Sequence, residues 1–274
     1  MIQDIAPSVF ENHFVDYKAQ AEDTAMYFSE GKLLCKYDEA EKVLVFPKAS
    51  DFASSKSVYA FSIDGRKYFL IQEAAEVPDG SYYDLRELRR LELETNTEIF
   101  AAYSAYHLWK WYNANRFSGC CGKPTVHDTV ERALICPECG TKIYPRINPA
   151  VIIGIINGEK ILITKYRKGY AHNALVAGFT EFGETLEQTV EREAMEEVGL
   201  KVKNIRYYKS QPWGMAEDLL AGFYCDVDGD DKIKMDEGEL KYAEWVSRKE
   251  IELQPSDYSL TNEMMKMFQD GKIS

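Results

Sequence analysis

No apolar run in the chain exceeds seven residues, the longest being residues 150–156. A membrane-spanning helix needs about 20, so no span is expected. The opening residues, MIQDIAPSVFENHF, lack a basic start followed by an apolar core. No secretory leader is therefore expected, and a cytoplasmic location is. Positive charge is scarce too: 33 Lys and Arg stand against 45 Asp and Glu, a net charge of −12. Such an acidic chain is a poor general binder of nucleic acid or anionic membrane, although a local basic pocket for a phosphate remains compatible with it. Cysteine is sparse over most of the chain. Cys35 and Cys225 stand alone, whereas Cys120, Cys121, Cys136 and Cys139 fall within twenty residues. That excludes a disulfide-dense secreted scaffold and favours a metal site in a reducing compartment.

What is present is ordinary globular material: 45% hydrophobic and 28% charged residues over 274 positions, enough for one or two domains. Residues 1–95 hold short β-like runs, among them DTAMYFSEGKLLCKY, EKVLVFP and SVYAFSIDGRKYFLIQ. Val43, Val45, Tyr59, Phe61, Tyr68 and Leu70 alternate at period two, which predicts half-buried strands. Over residues 95–111, Ile99, Tyr103, Tyr106 and Lys110 recur at three- and four-residue spacing, predicting a helix with an aromatic face packed in a core. Residues 117–144 carry too little apolar mass for a core of their own and need a staple such as a metal. INPAVIIGIINGEKILITKY follows, two strands around a turn at Asn157-Gly158. Strand and helix patterns then alternate, with a long helix from Leu186 to Val198. Residues 226–237 place acids at positions 1, 3, 5 and 12 of a calcium loop. Position 6, however, is Asp231 instead of Gly, so the segment reads as a hairpin turn between strands.

Cys136-Pro-Glu-Cys139-Gly is one half of a zinc ribbon, because two Cys separated by two residues bring both thiolates to one tetrahedral metal. The partner pair is expected upstream. There, Ser118-Gly119-Cys120-Cys121-Gly122 places Ser118 where the first Cys would stand. Cys121, Cys136 and Cys139 are the candidate Zn²⁺ ligands. Cys120, after a local shift of the turn, and His127 are candidates for the fourth. The alternative is a ribbon that has lost its metal.

Residues 178–200 read GFTEFGETLEQTVEREAMEEVGL. On a helix, Glu197 lies about 40° from Glu193, and Glu196 about 60° to the other side. Three carboxylates therefore cluster and repel one another unless a cation sits there, and hard oxygen ligands suit Mg²⁺ or Mn²⁺. Arg192 can orient a neighbouring carboxylate through a bidentate pair. Gly199 stands where a helix end wants a positive φ. A solvated acidic face is the ordinary reading of a Glu-rich helix, but the fixed string of Gly, Glu, Arg-Glu, Glu-Glu and Gly argues against it.

This string resembles the Nudix box, GX5EX7REUXEEXGU, at every fixed position, with Ala194 where a larger aliphatic residue is usual. The resemblance implies an α+β chain: a Nudix α/β/α sandwich at residues 145–274, preceded by a zinc ribbon at 117–144 and a β-rich N-terminal domain at 1–116. It implies a hydrolase of nucleoside diphosphate derivatives, with Glu193, Glu196 and Glu197 binding the divalent metal and Glu184 and Arg192 completing the catalytic group. The domain order, together with Tyr144-Pro145-Arg146, is similar to the NAD(H) pyrophosphatase branch. That branch carries SQPWPFPxS after the box. Here Ser210-Gln211-Pro212-Trp213 matches, whereas Gly214-Met215-Ala216-Glu217-Asp218 departs. The resemblance places Phe179 and Tyr144 against a nucleobase, and Gln211, Pro212, Trp213 and Asp218 along the dinucleotide. It also puts Glu131 near the substrate, and Glu239 and the Ala177 carbonyl on the metal. Its implied reaction is hydrolysis of NAD(H) to AMP and nicotinamide mononucleotide by a homodimer. ADP-ribose, dinucleoside polyphosphates, NAD-capped RNA, or a non-catalytic ligand-sensing role remain alternatives. Without the two prolines, the 214–218 loop is expected to be less pre-organised, with Glu217 and Asp218 facing an anionic substrate.

Overall fold

Two turns set the N-terminal sheet. Glu30-Gly31 and Asp64-Gly65 all have positive φ, the conformation of tight hairpin turns whose twist matches the flanking strands. They join β2 (Thr24–Ser29) to β3 (Lys32–Asp38), and β5 (Lys56–Ile63) to β6 (Arg66–Glu73). With β1 (Phe10–Glu11), β4 (Val43–Val45) and β7 (Ser81–Tyr83), these strands form one sheet in the order β1-β5-β6-β2-β3-β4, with β7 on β3. The structure, a computed structural model, describes residues 1–168 and 172–273. It divides into two compact units: Ile2–Arg146 with Gly214–Glu217, and Met1 with Ile147–Trp213 and the chain from Asp218 onward.

In the N-terminal unit, a short α1 (Leu85–Leu88) precedes α2 (Thr97–Ala114), the aromatic helix expected at 95–111. Of the expected stripe, Ile99 and Tyr103 are buried in the core while Tyr106 and Lys110 are half-buried; Trp111 and Tyr112, off that spacing, are buried as well. The strand pattern differs in three places, the first being β5, where Tyr59 to Ile63 are all buried. Leu44, not Val43 or Val45, turns inward on β4. Tyr68, Phe69, Leu70 and Ile71 on β6 are buried in succession, so this strand is covered on both faces instead of one. A small antiparallel sheet of β8 (Val126–His127), β9 (Leu134–Ile135) and β10 (Lys142–Ile143) carries the cysteines. Arg132 anchors it: the guanidinium donates to the carbonyls of Ala60 at 2.7 Å and Asn12 at 3.0 Å.

The second unit contains β11 (Asn148–Asn157), β12 (Lys160–Tyr166), β13 (Val176–Phe179), α3 (Leu186–Val198), β14 (Val202–Trp213), β15 (Asp218–Val227), β16 (Leu240–Ser247) and α4 (Leu260–Gln269). Its sheet runs β14-β15-β11-β12-β16, with β13 beside β11. The period-two alternation of β11 sorts the two cores. Val151, Ile153 and Ile155 pack with Val190, Ala194 and Val198 of α3. Ile152 and Ile156 pack with Leu260, Met264, Met265 and Phe268 of α4. Each such side chain contributes about 1.5–3 kcal/mol on burial, and the outcome is an α/β/α sandwich. The β11–β12 turn is one residue later than expected: Asn157 pairs with Lys160, leaving Gly158 at φ 58° as the first loop residue. Residues 228–239 are not a hairpin turn, since β15 and β16 are not neighbours. They run past the end of α3, where the N–H groups of Asp236 and Lys234 donate to the carbonyls of Glu197 at 2.8 Å and Val198 at 2.9 Å. That satisfies acceptors a helix end would otherwise leave open.

Candidate active site

Local chemistry fixes α3 at both ends. Thr185 and Gln188 form a reciprocal capping box at its start. Gly199, at φ 68°, closes it in the left-handed conformation. The helix therefore presents Glu193, Glu196 and Glu197 in a defined register. Gly178 on β13 leaves room for one of them: a Cβ there would stand 1.9 Å from the Glu193 carboxyl carbon. Glycine at this position is thus a matter of space.

Arg192 is the hub. Its Nε and one terminal nitrogen donate to the two carboxylate oxygens of Glu184 at 2.6 and 3.0 Å. The other terminal nitrogen reaches Glu193 at 2.8 Å and Glu196 at 3.0 Å. The guanidinium also donates to the Phe179 carbonyl at 2.8 Å. Held by Arg192 first and then by the Glu181 N–H, the Glu184 carboxyl falls to about 2. Glu193 moves the opposite way, pushed up mainly by burial. Glu197 goes further, to about 8, through burial and then the nearby charges of Glu193 and Glu239. Its Oε2 is buried without a hydrogen-bond partner. Such an orphaned anionic oxygen is costly on its own and suits a cation. Glu239, just before β16, is exposed, yet its charge reaches both buried carboxylates. The Ala177 carbonyl accepts from the Tyr166 hydroxyl at 3.4 Å, and Tyr166 is itself pushed up by burial and by Glu197. Nothing in the sequence singles Tyr166 out among 18 tyrosines.

The segment after the box departs from expectation. Gln211 does not offer its amide to a substrate. It is fully buried; its Nε2 donates to the Tyr258 carbonyl at 2.8 Å, and its Oε1 accepts from the Leu260 N–H at 2.7 Å. Both ends of the amide are thus committed to the start of α4. Pro212 is exposed on β14, an edge strand where a missing N–H is tolerated. Trp213 is half-buried and pairs with Asp218 across the β14–β15 hairpin. Glu217 and Asp218 do not present charge to solvent, at 9% and 6% exposure. Glu217 is instead paired with Lys110 at 3.0 Å.

In the N-terminal unit, Tyr144 keeps its ring 54% exposed, and its hydroxyl donates to Glu131 at 3.1 Å. Lys142 pairs with the same carboxylate at 2.6 Å and with Asp128 at 2.8 Å, which holds Glu131 below its usual range. Nearby in sequence, ligand atoms of Cys121, Cys136 and Cys139 all lie within 4.8 Å of one another. Hydroxyl hydrogen bonds from Ser118 and Thr141 pull Cys139 down to about 6, towards the thiolate form a metal requires. Cys120 lies outside this group. Ser118 Oγ instead lies 3.4 Å from Cys139 Sγ and accepts the Cys120 N–H at 3.2 Å. His127 is also elsewhere, bonded to Gln72 at 2.9 Å.

A mixed sheet between two helical layers, carrying a loop–helix–loop of clamped carboxylates, is the architecture of a hydrolase. Residues 146–268 match the family model of the NUDIX domain. The chain is 39% identical over 176 residues to the NAD-capped RNA hydrolase NudC of Pectobacterium atrosepticum, covering 64% of this chain and 67% of that one. It is 34% identical over 204 residues to the protein of the same name from Citrobacter koseri, covering 71% and 78%. A crystal structure of a NUDIX hydrolase from Nitrosomonas europaea shares the fold, with a TM-score of 0.51 at 22% identity over 57% of this chain and 92% of that one. The chain belongs to the Nudix hydrolase family. Among the described residues, no helix is long and apolar enough to cross a membrane.

Proposed function

We propose that the chain hydrolyses the pyrophosphate bond of NAD(H), releasing AMP and nicotinamide mononucleotide. The observation that carries this is the buried, partnerless oxygen of Glu197 beside a Glu193 fitted against Gly178. It stands in a chain 39% and 34% identical to two NAD-capped RNA hydrolases. Glu193, Glu196, Glu197, Glu239 and the Ala177 carbonyl would hold Mg²⁺ or Mn²⁺. Such an ion, when bound, neutralises phosphate charge and makes water acidic enough to serve as nucleophile. The chain's own part is to position groups and to accept a proton. Arg192 fixes the rotamers of Glu184 and Glu193 at once. A carboxylate of the cluster left free of the ion would take the proton of an attacking water, and Glu184, held near 2 by Arg192, is the least suited to do so. Phe179 is 53% exposed and offers a ring face for a base, as Trp213 does on β14. In the other unit, the Glu131 carboxylate fixes the hydroxyl of the exposed Tyr144 ring, an arrangement suited to stacking.

The relatives' activity favours a second substrate, the NAD cap of RNA, while the net charge of −12 weighs against long RNA. Structural Zn²⁺ on Cys121, Cys136 and Cys139, a homodimer and a cytoplasmic setting belong to the same reading. The deciding experiment is a hydrolysis screen of NADH, NAD, ADP-ribose, diadenosine polyphosphates and NAD-capped RNA with Mg²⁺ or Mn²⁺. Turnover of NADH to AMP is expected. No NADH or NAD hydrolysis, where ADP-ribose or a nucleoside triphosphate turns over readily, would overturn the reading.

A further inference from the structure

Three of the groups placed on the metal come from different elements: the Ala177 carbonyl from β13, Glu197 from α3, and Glu239 from the segment before β16. Two consecutive residues at the end of β12, Tyr166 and Arg167, reach all three.

A bulge sets this up. Lys165 pairs with Tyr242, but Tyr166 pairs with Leu240, so Lys241 is an extra residue on β16. Ala243 and Trp245 pack towards the α3 core, and unbroken alternation would bring Lys241 to that face next. The slip brings Leu240 there instead, fully buried, with Tyr166 packed against the same cluster. A bulge re-aims side chains in this way at the expense of regular pairing. Glu239 is drawn along with Leu240.

From this register the Tyr166 hydroxyl donates to the Ala177 carbonyl at 3.4 Å. Glu197, raised by burial and by the charges of Glu193 and Glu239, is pulled the other way by hydrogen bonds from the Ala177 backbone and from Tyr166. Arg167 carries the ladder one step beyond its last pair, its N–H donating to the Glu239 carbonyl at 2.9 Å. Its Nε donates to the Glu237 carbonyl. Both acceptors lie in a turn that otherwise folds back on Asp236, through the N–H groups of Glu239 at 3.3 Å and Gly238 at 2.7 Å. Arg167 is exposed, so its side chain adds little to the core. What it fixes is the turn that carries Glu239.

We propose that Tyr166 and Arg167 are positioning residues for the metal-ligand set, Tyr166 for the Ala177 carbonyl and Glu197, and Arg167 for Glu239. The inference rests on the metal-dependent reading of this site and deepens it. Loop fastening alone would account for Arg167. It would not account for the adjacent residue reaching the other two groups from the same bulged end of β12.

The test reads metal binding, not turnover: calorimetric titration of the full-length protein with Mn²⁺. Arg167→Met keeps an apolar stem and removes the donor. Tyr166→Phe keeps the packed ring and removes the hydroxyl. Each should weaken Mn²⁺ about tenfold, the usual cost of losing a group that orients a ligand, with melting in chelator close to parental. A cycle with Glu239→Gln then assigns the roles. In that background Arg167→Met should add nothing, because it acts through Glu239, whereas Tyr166→Phe should keep its full effect, because its partners are elsewhere. Unchanged affinity in either single variant would overturn the inference and leave the hydrolase reading intact. So would an effect of Arg167→Met that is equal with and without Glu239. A parent that binds no Mn²⁺, or binds it unchanged in Glu197→Gln, would overturn both.

Discussion

Glu197 is the side chain on which the chemistry turns, and its substitution is the sharpest probe. Glu197→Gln keeps shape and removes one charge from a group already 3% exposed. A loss of at least about 100-fold in kcat with little change in melting temperature is expected, because transition-state neutralisation weakens; near-normal turnover with the same metal would defeat the carboxylate-helix mechanism. Gly178→Ala probes the same site by space alone. The added methyl would stand 1.9 Å from the Glu193 carboxyl, so Glu193 must move, and misplacement of this order costs about 10–100-fold in rate. Unaltered kcat would mean that the Glu193 position does not matter. Glu184 gives a pH signature. Its carboxyl is at about 2 when folded, against an ordinary 4.5, so on acidification the unfolded chain takes the proton first. The stability it contributes is therefore full above pH 4.5 and is lost as pH falls towards 2. Thermal melts in chelator should show a gap between parent and Glu184→Gln that is widest near neutrality and narrows below about pH 4.5; a gap independent of pH would exclude the ion pair as its cause.

Among the elements, the ribbon and the box helix contrast in how much a sequence discloses. The span of α3 is legible because its signals are local: Thr185 caps it, Gly199 ends it, and the carboxylates follow from 3.6-residue geometry. The aromatic face of α2 is legible for the same reason. Gln211 is not. Its partners lie 47 and 49 positions away, and within a motif associated with substrate its burial under α4 has no local sign. Glu217 is similar, since nothing near it announces Lys110. In the ribbon, spacing picks out three thiols and marks Ser118 as the irregular corner, but only the fold shows that Ser118 Oγ sits against Cys139 Sγ while Cys120 stays outside the thiol group. Protein purified without added metal is expected to carry about one zinc per chain. Cys139→Ser should lower the melting temperature, and Ser118→Cys should slow zinc loss to a chelator by completing a four-thiolate set. Zinc-free protein whose melting is indifferent to both changes would identify a vestigial ribbon.

For the molecule as a whole, charge sets a long-range term that no single residue controls. With a net −12, the chain repels polyanions beyond contact range, and salt screens that repulsion. The kcat/KM for NAD-capped RNA, relative to free NAD, is expected to rise between low and physiological ionic strength. A steep fall would reveal a basic track for the RNA.

The tip of the β14–β15 hairpin carries a different consequence, one of inheritance. Residues Gly214–Glu217 group with the N-terminal unit although the strands on either side group with the other. A Cβ at position 214 would come within 2.2 Å of the Tyr103 carbonyl. The chain therefore cannot be parted into two exchangeable modules by one cut after Arg146. A hybrid that swaps the Nudix unit for a relative's also imports that relative's tip in place of Gly214–Glu217, and must bring a matching α2 with it. Recombination between such proteins should consequently succeed with the pair of segments and fail with either alone.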